Sequence, residues 1–189
     1  MKTFSGWIGA GIAASAIVVL AQTGRLPQRF TAGAVNTNNG GTGTVELVIE
    51  RWSTEGDRNL LVRTLLDKGS DELLDALQDM PRIGYIRIDG GLGYDLHYAH
   101  VTQGEDGGER IVLATDRRIG FWEATNQPRS IDYPFTVIEL RLNRDGDGQG
   151  KMSLATRITA DKEKNSVTLE NYDQQPVLLQ SVKRDHSSQ

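Results

Sequence analysis

Cysteine is absent from the 189 residues, which excludes disulfides, thiolate zinc sites, cysteine-ligated iron–sulfur clusters and a cysteine nucleophile. The same absence leaves no acceptor for a lipid anchor of the bacterial type. Histidine is scarce, three in all with His186 in the polar tail, so the stock of general bases near neutrality is small. Positive charge is in deficit, 21 Lys and Arg against 25 Asp and Glu, so no basic field exists to capture a phosphate backbone and no nucleic-acid partner is expected. Also missing are Gly-x-Ser-x-Gly, His-Glu-x-x-His, Ser-x-x-Lys, a P-loop and any Asn-x-Ser/Thr sequon. Hydrolysis has no recognisable signature here, and no cofactor is expected.

What remains is ordinary for a globular chain. With 38% hydrophobic and 24% charged residues, neither wholesale disorder nor a polytopic membrane protein is credible. The length fits a single domain with tails. Twenty-one glycines against five prolines point to many tight turns.

The first segment reads as an address. Lys2 precedes a run from Trp7 to Ala21 that is apolar or small except at Ser15, and the run closes on Val19, Leu20 and Ala21. A positive start, a short apolar stretch and small residues three and one before the cut predict a signal peptide over 1–21, cleaved after Ala21. The folded part is therefore expected to be exported, periplasmic or extracellular; an uncleaved anchor is the alternative, and the only route to a membrane. Gly9 and Gly11 imitate a dinucleotide loop but follow no strand. Residues 22–43, dense in Gly, Asn and Thr, read as a flexible leader, 44–184 as a single β-rich domain, and 185–189 as a frayed tail.

Within the body, Val45, Leu47 and Ile49 alternate with Glu46 and Glu50, the period of a half-buried strand. Thr54 and Asp57 then have capping-box spacing, and Leu61, Val62, Leu65 and Leu66 recur at helical intervals up to Gly69. Ser70 restarts a helix striped by Leu73, Leu74 and Leu77, which Pro81 ends near Met80. From there strands are predicted over 83–89, 94–102, 109–115, 119–124, 135–143, 151–159, 166–170 and 177–183, with glycine-rich links too short for parallel crossovers. The predicted class is α+β: about nine antiparallel strands forming an open barrel or a sandwich, with one helical hairpin after the first strand.

Three groups of residues carry chemistry worth testing. His97 and His100, three apart on a strand, point to opposite faces and cannot share an ion, whereas Asp95 and His97, two apart, share a face and form a candidate catalytic pair. A polar pair on a solvent face explains the same spacing. Asn143, Asp145 and Asp147, with Gly148 after them, resemble the start of a calcium loop. The twelfth position, however, is Leu154, which brings no carboxylate, and a hairpin turn accounts for the residues. Around 116–135, Arg117, Arg118, Trp122, Arg129 and Tyr133 combine guanidinium forks with amphipathic rings and are candidate ligand-binding residues for an anionic or aromatic molecule. An ion-paired loop that plugs the sheet's end is the structural alternative.

The blocks GYIRIDGGLGYDLHYA (84–99), RIVLATDRRIGFWEATNQPRSIDYPF (110–135) and KMSLATRIT (151–159) resemble a family of exported bacterial proteins of unknown function, over about Val45 to Lys183. The resemblance implies export and a single domain and brings no active residue, ligand or partner with it. The expectation drawn from the residues is an exported, non-enzymatic domain that binds an unknown small molecule or a cell-envelope component. The alternatives are a hydrolase using Asp95 and His97 with Arg118 or Arg129, and a structural envelope protein acting through sheet edges.

Overall fold

The computed structural model describes residues 26–104, 107–116, 133–161, 163, 166–171 and 175–185. The predicted signal peptide and the strand expected over 119–124 lie outside them. The chain is α+β and mostly antiparallel: β1 (Gln28–Asn36), β2 (Gly41–Ile49), α1 (Glu55–Lys68), α2 (Ser70–Gln78), β3 (Gly84–Ile88), β4 (Tyr94–Leu96), β5 (Tyr98–Gln103), β6 (Glu109–Thr115), β7 (Phe135–Leu142), β8 (Asp147–Asp161), β9 (Ser166–Asn171) and β10 (Val177–Arg184). Nine strands follow the order β4-β3-β2-β1-β10-β8-β7-β6-β5, and β9 pairs with β8 off this path. The two ends of the path, β4 and β5, are consecutive in the chain and separated only by His97, so the sheet curls into a nearly closed barrel.

Period-two alternation fills the interior. Phe30, Leu47, Ile86, Leu113, Ile138 and Met152, one from each of six strands, are fully buried in the same core cluster. A barrel of about eight strands is just wide enough for its own side chains, and here apolar ones occupy it. A second core lies outside the wall. Leu61 and Leu65 of α1 and Leu73 and Leu77 of α2 pack on Ala114, Phe135 and Val137, with Ile158, Ala160, Val167 and Leu169 of the β8–β9 hairpin beside them. Thr54 caps α1 as expected: its hydroxyl accepts from the Asp57 N–H while the Asp57 carboxylate accepts from the Thr54 N–H.

Several boundaries differ from the sequence reading: the strand expected over 94–102 is divided at His97 into β4 and β5, and β2 begins at Gly41, within the expected leader. Gln28–Asn36, expected within a flexible leader, is an inner strand that pairs with β2 on one side and β10 on the other. The helical hairpin therefore follows the second strand. The inward residues of β1, Phe30, Ala32 and Ala34, do alternate, but two are only methyl-sized and Gly33 lies between them, so the apolar signal is faint. Small residues suit the places where a barrel tapers. β8 also starts earlier than expected, at Asp147. Its Gly148 looks like turn residue but sits where an added Cβ would come within 1.9 Å of the Arg141 carbonyl oxygen, so glycine permits a close backbone approach in a strand.

Candidate functional site

His97 lies between β4, which pairs with β3, and β5, which pairs with β6. Leu96 and Ala99 are both fully buried in the barrel although they are three apart, so strict alternation is broken at His97, which acts as an extra residue in the manner of a β-bulge. Its N–H donates to the Ala114 carbonyl (3.1 Å). Its ring turns toward the end of the helical hairpin, where Nδ1 lies 2.9 Å from the Met80 carbonyl oxygen. A carbonyl only accepts, so this contact assigns the hydrogen to Nδ1 and leaves Nε2 as the acceptor of the neutral ring. Nε2 lies 3.6 Å from Asp116 Oδ1, with both side chains largely buried at the end of β6. The Thr115 hydroxyl stands 3.4 Å from the same Asp116 oxygen. Acceptor faces acceptor while the ring is neutral, and a proton on Nε2 turns the contact into an ion pair.

The next residues of β5 grip the hairpin's entrance. The Ala99 N–H donates to Ser53 Oγ (3.0 Å) and the Ser53 N–H to the Ala99 carbonyl (2.9 Å). His100 Nε2 lies 3.7 Å from Glu55 Oε1, and its ring stacks on Tyr98 with centroids 6.2 Å apart. Burial lowers the His100 pKa, against the pull of Glu55 and helped by the Arg58 charge. Burial likewise pushes the Tyr98 phenol up to about 12.

The expected partnership of Asp95 with His97 does not describe this site. Asp95 Oδ1 accepts from Arg82 Nε (2.8 Å), and Arg82 also makes a two-pronged contact with Glu50 (2.9 and 3.0 Å), all on the outer face. The carboxylate beside His97 belongs to Asp116. Spacing along one strand missed it because the break at His97 and the register with β6 are tertiary features. Arg117, Arg118, Trp122 and Arg129 lie outside the described residues. Tyr133 is described, and its hydroxyl donates to Glu170 Oε1 (3.1 Å).

The calcium candidate is a turn. Asn143 Oδ1 accepts from the N–H groups of Asp145 (2.9 Å) and Asp147 (3.0 Å), so the first would-be ligand is spent on its own loop. Among the described residues, no group of three or more His, Cys, Asp or Glu is arranged to hold a metal ion. Sequence reasoning also missed a charged ladder on the outer face of β1 to β4. There the guanidiniums of Arg82 (5.5 Å) and Arg87 (4.7 Å) both lie over the Tyr85 ring, and Arg29 and Arg87 both approach Glu46 (3.0 and 3.8 Å). No signal in one strand reveals it, since cross-strand register brings these side chains together.

Comparison with protein-family models, curated proteins and solved structures finds no match for the chain.

Proposed function

We propose that the chain is an exported, non-enzymatic binding domain that takes a small molecule or a cell-envelope partner at the rim where β6 ends and β7 begins. One observation carries this reading: the barrel interior is occupied by its own apolar side chains, which leaves recognition to the rim and the outer surface. At that rim Asp116, with His97 beside it, and Tyr133 bound the stretch of sequence richest in arginines and aromatics, the composition of a recognition surface. The ring of His97 is fixed through Nδ1, 2.9 Å from the Met80 carbonyl oxygen, which ties the rim to the end of the helical hairpin. Export rests on Lys2 and the apolar run that follows it.

The test is native mass spectrometry of the mature protein isolated from its own host, beside the same protein after unfolding and refolding. A reproducible added mass lost on refolding supports a small-molecule ligand. A bare mass together with one cross-linked envelope protein supports the partner form. A bare mass with no cross-linked partner contradicts both.

A further inference from the structure

The outer wall of the barrel loses its register at one point on both sides of β10. Ser181 and Val182 stand against the single Ala32 of β1, and Gln180 and Ser181 against the single Gln149 of β8. Ser181 lies in both breaks, so it is a bulge residue within an inner strand. Its φ is 49°, in the left-handed region that favours glycine. Glycine would make the same bulge without strain, so the backbone alone gives no reason for a serine there. A bulge also re-aims the side chain it carries.

Two surface hollows meet at this exposed residue. One, of about 370 Å³, lies over β1 and β2 and is lined by Thr31, Gly33, Thr44 and Glu46. The other, of about 580 Å³, lies over β8 and the end of β7 and is lined by Arg141, Asp147, Gln149 and Gln180. Ser181 lines both, so together they form one open trough across five neighbouring strands, about 20 Å at the usual strand spacing. Its chemistry selects an occupant. No aromatic ring and no exposed large apolar side chain lines it, so a hydrophobic peptide or an acyl chain finds no anchor. The five strands beneath are paired along both edges, so no extended peptide can add to them here. The surrounding charges balance: Arg141 and Lys183, which stands opposite Thr31, against Glu46 and Asp147. A polyanion gains nothing from that balance. Hydroxyls and amides at Thr31, Ser181, Gln149 and Gln180 both donate and accept, which matches a neutral, hydroxyl-rich chain. We propose that the trough binds a neutral oligosaccharide that spans both hollows, with the Ser181 hydroxyl at its centre. The surface shares no residue with the rim and stands or falls apart from the function proposed there.

Backbone amide resonances of the full mature protein test this in titrations with maltotetraose, cellotetraose and the N-acetylglucosamine tetramer, beside the anionic tetragalacturonate. Saturable shifts at Thr31, Gln149 and Ser181 with at least one neutral tetramer, and none with tetragalacturonate, are expected. Thr31→Trp fills the first hollow at an exposed strand position and is expected to abolish those shifts while the melting temperature holds. Ser181→Gly separates recognition from folding. Relief of the left-handed serine leaves the melting temperature unchanged or raised, while loss of one hydroxyl contact weakens binding about fivefold. A Ser181→Gly protein that keeps full affinity, or that melts lower, overturns the place given to the serine. Shifts with tetragalacturonate overturn the neutral assignment, and no shift with any neutral tetramer, or shifts only away from the trough, overturns the proposal.

Discussion

His97 contacts the carbonyl oxygen of Met80 through Nδ1 at 2.9 Å, although 17 residues separate them in the chain. The residue that breaks one long strand into β4 and β5 is thus also the residue that ties down the exit of α2. Three positions later, His100 faces Glu55 at the entrance of α1. Closure of the barrel and docking of the helical hairpin therefore run through the same short segment, and disturbing one disturbs the other.

Removal of residues 22–36 tests whether that stretch is leader or barrel. A flexible leader can be cut without effect on the melting temperature. Because β1 carries Phe30 into the core and pairs along both edges, the truncated protein is expected to lose its cooperative unfolding transition altogether. An unchanged thermal melt by circular dichroism would return the segment to the status of a leader.

Gly84 opens β3 directly opposite Ile49, and a Cβ there would sit 2.0 Å from the Val48 carbonyl oxygen. Backbone cannot yield as a flexible side chain does. Gly84→Ala is expected to cost about 3 kcal/mol or more, since overpacking is felt most where the neighbour is main chain. Urea denaturation measures it, and a loss within about 0.5 kcal/mol, the range of neutral surface changes, would show that the β2–β3 pairing is looser than described.

The pH dependence of stability has a definite sign. Burial holds the His100 pKa below its ordinary 6.5, with the Glu55 carboxylate opposing and the Arg58 charge assisting. Below that pH the unfolded chain binds a proton that the folded chain resists, so the contribution of His100 is present above 6.5 and is lost as the pH falls through the folded value. His100→Gln is expected to flatten the decline of melting temperature between neutral and mildly acid pH. At the alkaline end, Tyr98 is pushed up to about 12, so its contribution is present below pH 10 and is lost as the pH rises toward 12. Parallel melting curves for the wild type and the His100 variant across the acid range would contradict the buried, uncharged histidine.

The legible parts of the fold were those with local causes. Alternation at Val45, Leu47 and Ile49, the Thr54–Asp57 cap and the leucine stripes of both helices predicted their elements because each signal lies within a few residues. β1 was hidden because its inward residues include two alanines and a glycine between them, and the start of β8 because Gly148 reads as a turn until its neighbour Arg141 is known. The site was half legible. His97 was found by its chemistry, but its carboxylate is Asp116, brought there by the register of β6, while Asp95 is drawn away to Arg82. The asparagine of the calcium-like loop turned to its own backbone, as turn residues do.

The central claim is that recognition resides at the rim beside Asp116, and native mass spectrometry of two proteins purified in parallel from the native host tests it most directly. The wild-type mature chain is expected to carry a reproducible adduct or a cross-linked envelope partner, and Asp116→Ala, folded by the same thermal melt, is expected to be bare. If the variant keeps the adduct or the partner unchanged, the rim is not the binding surface. If neither protein carries anything, the binding account itself is contradicted.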